Sequence, residues 1–216
     1  QLPVLVVDDG SSDATADRAR EAGATVISHG TNRRKGAALR TGFDWALHRD
    51  YDAVVTLDAD GQHDPADLEP ILNAYRNSCG DLIIGERDFA QMPFPNRYTT
   101  PLGSVLLSWA LGLKVTDNQS GLRLLTRRFL ERMRPRSTGY EMEVEMIWEA
   151  VRLGLTITWV PIRTIYFPER KSGFRPFRDT LLFLRMVHRI RGERRTQDLS
   201  VRGELCARAP TDRELP

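Results

Sequence analysis

The sequence predicts an α/β protein with a doubly wound, mostly parallel sheet and helices on both of its faces. Short β-branched runs alternate with helical stretches through the first half of the 216-residue chain, and this alternation is typical of parallel sheets. Two of the runs end in acid clusters, at Asp8-Asp9 and at Asp58-Ala59-Asp60. Because ligands of such sheets bind beyond the carboxyl ends of the strands, we expect both clusters to face one crevice.

Periodicity and turn residues place the individual elements. Apolar runs bounded by turn residues predict strands at 4–7, 25–28, 53–57, 82–85 and 156–160. Helical spacing predicts helices at 14–22, 36–49, 65–77, 101–111, 127–132, 142–152 and 177–191. These elements make up one domain over residues 1–195, and the charged, proline-containing tail at 196–216 is predicted to be disordered.

Composition narrows the class of protein. The chain is 41% hydrophobic and 28% charged, as globular domains usually are. Its net charge of +2 gives no reason to expect a nucleic-acid partner. No run approaches the roughly 18 apolar residues that span a bilayer. Cys79 and Cys206 match no metal-ligand spacing, so we expect reduced thiols in a cytoplasmic setting.

The turn after the third strand is the strongest candidate for chemistry. Asp58 and Asp60 follow an apolar strand, and Gln62 adds an amide two residues later. These hard oxygen ligands suit Mg²⁺ or Mn²⁺, which can keep open positions for diphosphate oxygens. The alternative is a solvated acidic turn. An EF-hand is excluded because His63 stands where such a loop needs glycine, and Gln62 disfavours an aspartyl phosphatase.

Six motifs occur in a fixed order along the chain. They are Asp8-Asp9-Gly10-Ser11-Ser12-Asp13, Lys35-Gly36-Ala37-Ala38-Leu39-Arg40, Asp58-Ala59-Asp60-Gly61-Gln62-His63, Gly85-Glu86-Arg87, Asp117-Asn118-Gln119-Ser120-Gly121-Leu122-Arg123 and Tyr140-Glu141-Met142-Glu143. Together they resemble the large inverting family 2 of glycosyltransferases. Within that family the likeness is to the dolichyl-phosphate mannose synthase and polyprenyl-phosphate glycosyltransferase branch.

The resemblance implies a GT-A-type fold, a nucleotide-sugar donor (a UDP- or GDP-sugar) and Mg²⁺ or Mn²⁺ as the cofactor. It places Asp9 at the nucleoside and gives Asp58, Asp60 and Gln62 the metal and the diphosphate. The donor site so implied draws on both acid clusters: Val7, Asp9, Asp58, Ala59, Asp60 and Gln62.

For the acceptor, the resemblance implies that Arg87 holds a phosphate and that Asp117 lies beside it. A phosphate ester has its second pKa at about 6 and is largely ionised at neutral pH, so Asp117 would position or balance cations. With a sugar hydroxyl as acceptor, Asp117 would instead be the general base. The alternative is an acid that caps the turn at Ser120-Gly121. Arg97 is a second candidate for the phosphate.

Two departures from the family pattern stand out. Arg170, Lys171 and Arg175 form a basic loop that could close over the donor diphosphate, but the usual Gly-x-Ser-Lys pattern is missing there, and Arg175 is a shifted substitute. The family's first strand, with its Pro-x-x-Asn-Glu segment, is also absent ahead of Gln1. We therefore expect either a sheet without its first strand or a fragment of a longer chain.

The predicted helix at 177–191 has a basic, amphipathic character. An apolar stripe at Phe177, Leu181, Leu184 and Val187 lies beside a face with Arg178, Arg185 and Arg189. Such a helix suits an anionic membrane surface and predicts peripheral membrane contact at the inner face of the membrane. The alternative is a helix packed on the domain with its arginines in water.

The leading hypothesis is an inverting, metal-dependent transfer of a sugar to a polyprenyl-phosphate acceptor. A glycosyltransferase acting on a soluble sugar or small molecule, and a non-catalytic nucleotide-sugar-binding module, remain alternatives. A nucleotidyltransferase is a third, although its glycine-rich loop after the first strand is not visible.

Overall fold

The computed structural model describes residues 2–92, 96–163, 165 and 176–207. Its strands are β1 Leu5–Asp8, β2 Thr25–Ser28, β3 Ala53–Thr56, β4 Leu82–Arg87, β5 Arg123–Thr126 and β6 Ile157–Ile162. Its α-helices are α1 Thr15–Glu21, α2 Lys35–Leu47, α3 Leu68–Arg76, α4 Asn96–Leu111, α5 Arg127–Arg132, α6 Glu141–Arg152 and α7 Pro176–Ala207. Strand and helix alternate from β1 to β5, whereas α5 is followed directly by α6, and 3₁₀ turns precede α3 and α4.

The strands form a parallel pair, β1-β2, and a four-stranded sheet in the order β3-β5-β4-β6. In the larger sheet β4 and β6 are parallel, whereas β5 runs antiparallel to both β3 and β4. Strand β5 was not predicted, but the other three strands of this sheet run in one direction, so the sheet is mostly parallel as expected. The strand is only four residues long and begins with Arg123, so its apolar run was too short to be separated from the preceding turn.

Side chains of the larger sheet alternate between two cores, as the period of two along a strand requires. Leu82 and Ile84 belong to the core that also holds residues of α4, α5, α6 and α7. Ile83 points to the opposite side, where it packs with Leu124 and with Ile71 of α3. Helices therefore cover both faces of the sheet, as predicted.

Helix α7 differs from the prediction in length and in orientation. It runs to Ala207, so residues 196–207 are helical rather than disordered, and the rest of the predicted tail lies outside the described residues. Val187 of the predicted stripe is buried against the domain, whereas Leu181 and Leu184 are nearly half exposed. Arg189 donates to the buried carboxylate of Glu145 at 2.9 Å, so it is not a free surface cation. Within the described part of the chain, no helix has the length and apolar character needed to cross a membrane.

The start of α2 is docked against the segment that leads into α6. The backbone N–H of Gly36 donates to the carbonyl of Thr138 at 2.8 Å, and Arg40 donates to the carbonyl of Ser137 at 2.5 Å. A Cβ atom at position 36 would lie 2.8 Å from the Ser137 oxygen. Glycine is therefore required here for the close approach, which also fixes the neighbouring Lys35.

This close approach yields the first prediction. Gly36→Ala should lower the free energy of unfolding by about 1–3 kcal/mol, because the added methyl group overpacks a backbone contact. Gly42→Ala is the matched control in the same helix, since its nearest atoms, on Val7 and Leu5, lie 3.8 and 3.9 Å away. It should be neutral or stabilising by up to about 1 kcal/mol. Urea denaturation measures both, and equal effects would contradict the close-approach argument.

Candidate functional site

The two acid clusters are joined by the loop that leads into α2. Asp9, directly after β1, accepts the backbone N–H of Arg33 at 2.9 Å. Two residues later Lys35 places its Nζ 2.7 Å from Oδ1 of Asp58, which follows β3. Residues 33–35 therefore connect the two clusters, although β1 and β3 belong to separate sheets.

Asp9 is held by a buried histidine. Nδ1 of His29 lies 2.6 Å from Oδ1 of Asp9, and Nε2 of His29 lies 3.0 Å from the hydroxyl of Thr41 in α2. These two contacts of His29 orient Asp9, the acid that is expected to meet the nucleoside. The neighbouring Asp8 turns to the loop instead, where the hydroxyl and the backbone N–H of Ser11 lower the pKa of Asp8.

The Asp58 carboxylate lies in a narrow space between the end of β3 and the loop before β5. The hydroxyl of Thr56 donates to the carbonyl of Gly121 at 2.9 Å, which holds the two segments together. A methyl group at position 121 would overlap the Asp58 carboxylate. Glycine at 121 therefore leaves the room that this carboxylate occupies.

The donor set fits a metal that is shared with a ligand. Asp58 and Asp60 offer carboxylate oxygens, and Asp60 also accepts the backbone N–H of Gln62 at 3.0 Å, which tightens the turn. Among the described residues no three His, Cys, Asp or Glu side chains are gathered to hold an ion by themselves. Mg²⁺ characteristically binds through one or two carboxylates plus substrate phosphates, and this set matches that pattern.

Lys35 bridges Asp58 to a second acid. Its Nζ lies 2.7 and 2.8 Å from the two carboxylate oxygens of Asp58 and 2.5 Å from Oε1 of Glu143 in α6. Burial by itself would lower the pKa of Lys35, but the negative charges of Glu143 and Asp58 outweigh burial, so the pKa is raised above its ordinary value. Lys35 is therefore a cation throughout the physiological range.

Arg87 and Asp117 form a bidentate pair beside this cluster. Nε and Nη2 of Arg87, the last residue of β4, lie 2.7 and 2.9 Å from the two carboxylate oxygens of Asp117. Asp117 is fully buried and also accepts the backbone N–H of Gln119 at 2.9 Å. Its oxygens thus face donors, which favours the charge-balancing role over that of a general base.

Arg123, which belongs to one of the six sequence motifs but had no role assigned to it, holds the loop before β5 against α6. Its guanidinium is fully buried and donates to the carbonyls of Ser120, Glu143 and Asn118 at 2.7 to 2.9 Å. Burial lowers the pKa of Arg123, while nearby acids including Asp117 oppose that shift. An arginine inside the apolar run 122–125 was the available signal, because a buried charge needs dedicated partners.

Some buried polar atoms of the site find no hydrogen-bond partner among the described residues: His63 Nδ1, Glu143 Oε2, Ser120 Oγ and Asn118 Nδ2. Burial lowers the pKa of His63, against the opposing charges of Asp58 and Asp60. Arg87 and Lys35 act on the same imidazole, so His63 lies where the acid cluster and the Arg87 pair meet. Unsatisfied buried groups are costly in a folded protein and are concentrated at sites that bind ligands.

The remaining predicted residues are dispersed. Val7 is half-buried on β1, Ala59 is exposed in the acidic turn, and Arg97 is exposed on α4. Arg170 and Arg175 lie outside the described residues. Their roles, like those of the other predicted site residues, stay predictions.

Comparisons with known proteins agree with this architecture. The family model described as glycosyl transferase family 2 matches residues 1–134. Undecaprenyl-phosphate mannosyltransferase from Micrococcus luteus is 38% identical over 186 residues, which cover 79% of this chain and 73% of the relative. Polyprenol monophosphomannose synthase from Mycolicibacterium smegmatis is 33% identical over 187 residues, covering 80% and 69%.

Among solved structures, the fold is similar to that of glucosyl-3-phosphoglycerate synthase from Mycobacterium tuberculosis. The complex with phosphoglyceric acid gives a TM-score of 0.66 at 24% identity, over 89% of this chain and 68% of the synthase. A complex of the same synthase with Mn²⁺ and UDP-glucose gives a TM-score of 0.62 at 24% identity, over 85% and 64%. At this identity the likeness establishes the fold, and the expected GT-A-type fold is confirmed.

The Arg87–Asp117 pair generates the second prediction. Asp117→Asn should lower the free energy of unfolding by about 3 kcal/mol, because it leaves a largely buried guanidinium without its counter-charge. In a double-mutant cycle with Arg87→Met, the double variant should lose less than the sum of the two single losses, as expected for contacting residues. Urea denaturation measures all three variants.

The control is an exposed ion pair, Glu69 with Arg76 at 3.1 Å. Glu69→Gln should change stability by less than about 1 kcal/mol, as for other surface pairs. If Asp117→Asn behaved in the same way, the pair would not be structural, and Asp117 would be available as a base.

Proposed function

The chain belongs to glycosyl transferase family 2, and on that premise we propose that it moves a sugar from a nucleotide-sugar donor to a polyprenyl phosphate. The observation that carries the acceptor half is the bidentate Arg87–Asp117 pair at the edge of the acid cluster. The names of the two relatives, an undecaprenyl-phosphate mannosyltransferase and a polyprenol monophosphomannose synthase, support an acceptor of the same class.

The donor half rests on the two acid clusters. Asp9, oriented by His29, is proposed to accept hydrogen bonds from the nucleoside. Asp58, Asp60 and Gln62 are proposed to hold Mg²⁺ or Mn²⁺ together with the diphosphate, in keeping with the Mn²⁺ complex of the structural neighbour. An ion held by these residues would supply Lewis-acid stabilisation of the negative charge on the departing diphosphate.

The proposed binding of the acceptor phosphate rests on the positive charge of Arg87. Arg87 ends β4 at the carboxyl edge of the sheet, and its planar guanidinium suits a phosphate. An ionised phosphate is already a nucleophile, so the reaction needs no strong base. Asp117 then has the task of fixing the orientation of Arg87, which agrees with its burial and its bidentate contact. The phosphate oxygen attacks the sugar from the face opposite the diphosphate, which inverts the anomeric centre.

A lipid-linked acceptor requires a surface that reaches the bilayer, and α4 offers one. Four large apolar side chains at helical spacing are exposed along it: Tyr98 at 66%, Leu102 at 58%, Val105 at 64% and Trp109 at 59%. Leu181 and Leu184 of the neighbouring helix α7 are exposed at 49% and 46%. We call these six residues the α4–α7 apolar surface. It is larger than the single stripe predicted on 177–191.

Charge favours a membrane as the occupant of this surface. Helix α4 contains no acidic residue, and α7 has none between positions 180 and 192. The guanidinium of Arg191 lies 4.7 Å from the centre of the Trp109 ring, and Arg185 is exposed beside Leu184. An apolar face edged by arginine and tryptophan suits an anionic bilayer surface. We propose that the domain works at the cytoplasmic face of the membrane.

The test of the acceptor is the third prediction. Labelled GDP- and UDP-sugars are incubated with the chain, Mg²⁺ or Mn²⁺, and a short polyprenyl phosphate or the matching polyprenol. Product should form with the phosphate and not with the alcohol. Arg87→Lys keeps the positive charge beside Asp117 but loses the planar, bidentate guanidinium group. It should raise the acceptor KM by roughly 10- to 150-fold, which corresponds to the loss of one charge-assisted hydrogen bond.

The donor affinity of Arg87→Lys should stay unchanged, and Arg76→Lys on exposed α3 is the matched control. Equal loss of donor binding would move Arg87 to the donor site. Transfer to soluble sugars in place of polyprenyl phosphate would favour the soluble-acceptor hypothesis, and nucleotide binding without any transfer would favour a non-catalytic module.

The fourth prediction concerns the membrane. The chain should float with vesicles that contain anionic lipid. The double variant Leu102→Gln/Val105→Gln should weaken that binding at least roughly 10-fold, since each CH₂ group withdrawn from the bilayer loses about 0.8 kcal/mol. Leu2→Gln/Val4→Gln makes the same chemical change at residues that are both 56% exposed elsewhere, and it should float like the wild type. Equal flotation of the two double variants would overturn the assignment of the surface.

A further inference from the structure

Lys35 occupies the carboxylate that the proposed metal site needs. Its Nζ contacts both oxygens of Asp58, at 2.7 and 2.8 Å. Asp58 is one of the two acids that would hold a divalent ion, and a lysine in contact with both of its oxygens repels a second cation at the same carboxylate. Lys35 therefore competes with the ion for Asp58.

A second place for the lysine lies within reach. Nζ is also 2.5 Å from Oε1 of Glu143, whose side chain is almost fully buried. The other oxygen of this carboxylate, Oε2, has no hydrogen-bond partner among the described residues. Lys35 can therefore leave Asp58 and keep a buried counter-charge, and Glu143 can offer it a further acceptor.

The backbone ahead of Lys35 is held in an unusual conformation. Arg34 has φ 75° and ψ 159°, a region that residues with side chains rarely adopt and that stores strain where the surrounding structure enforces it. The contacts that hold Arg34 in this conformation are those of α2, where the backbone N–H of Gly36 donates a hydrogen bond to the carbonyl of Thr138. The lysine is thus placed against Asp58 by the fold, not by the freedom of a surface side chain.

We propose that Lys35 is an intramolecular competitor for the metal site, so that tight binding of the divalent ion depends on the nucleotide. Without nucleotide, Lys35 neutralises Asp58 and keeps metal affinity low. When a diphosphate is bound, the ammonium group of Lys35 pairs with the diphosphate and with Glu143 instead of Asp58. The Asp58 carboxylate is then available to the metal ion. The inference rests on the proposed metal role of Asp58 and Asp60.

Binding of Mn²⁺, followed by the electron paramagnetic resonance of the free ion, tests this proposal without any turnover. In the wild type, Mn²⁺ should bind weakly alone and more tightly with GDP or UDP. Lys35→Met should tighten nucleotide-free Mn²⁺ binding by roughly 10-fold, the lower end of what a charge-assisted hydrogen bond contributes. The enhancement by nucleotide should shrink in the same variant. Lys35→Gln serves as a second variant if the methionine variant does not fold.

The contact must be separated from a general effect of charge. Lys114→Met removes the same charge from an exposed position and should leave the Mn²⁺ affinity unchanged. At about 1 M salt the Debye length falls to about 3 Å, so a long-range effect would vanish, whereas competition at contact distance should persist. Glu143→Gln should weaken nucleotide-free Mn²⁺ binding in the wild type and have a much smaller effect in the Lys35→Met background.

The Asp60→Asn and Lys35→Met variants test the metal site and the competition by Lys35 separately. If Asp60→Asn leaves Mn²⁺ binding intact in every variant, the proposed metal site itself is wrong. If Asp60→Asn abolishes binding while Lys35→Met leaves the nucleotide-free affinity unchanged or weaker, the metal site stands and the competition by Lys35 is overturned.

Discussion

The buried guanidinium of Arg123 is the constraint on which the candidate site depends. It donates to the carbonyls of Asn118 and Ser120 in the loop before β5 and to the carbonyl of Glu143 in the first turn of α6. That loop carries Asp117, and α6 carries the carboxylate that meets Lys35. This buried cation thereby holds the loop that carries Asp117 at a fixed distance from Glu143 of α6. Its burial is tolerable because backbone carbonyl oxygens accept its hydrogen bonds.

From that anchor the site separates into two charge systems. Asp117 fixes Arg87, the cation at the end of β4 that is proposed to bind the acceptor phosphate. Asp58 and Glu143 share Lys35 beside the turn that is proposed to bind a metal ion and a diphosphate. Counted by formal charge, Asp58, Glu143 and Asp117 exceed the two cations Lys35 and Arg87, and Asp60 adds another negative charge, which a bound divalent ion would offset. The cations are already oriented by these acids before an anionic substrate binds.

The helices connect this chemistry to the outer surface. Ser104 on the inner side of α4 donates to Asn118 at 3.2 Å, one residue from Asp117, while Leu102 and Val105 on the same helix are exposed. Helix α4 thus contacts the acceptor-side loop through Ser104 and carries four residues of the α4–α7 apolar surface on its exposed side. For a substrate whose phosphate is soluble and whose tail is not, this arrangement presents both parts of the site to the molecule at once.

The sequence by itself determined the order of strands and helices, the acid clusters at strand ends and the family, because each depends on local periodicity or on contiguous motifs. Strand β5 could not be predicted, because its only two apolar residues, Leu124 and Leu125, are too few to show a period. The partners of Lys35 and His29 could not be predicted either, because their contacts join residues 12 to 108 positions apart. The same holds for the contact of Arg123 with Glu143, which lies 20 positions away. Only the tertiary structure decided which charged groups are buried together, because the partners of a buried charge come from distant parts of the chain and leave no local sequence pattern.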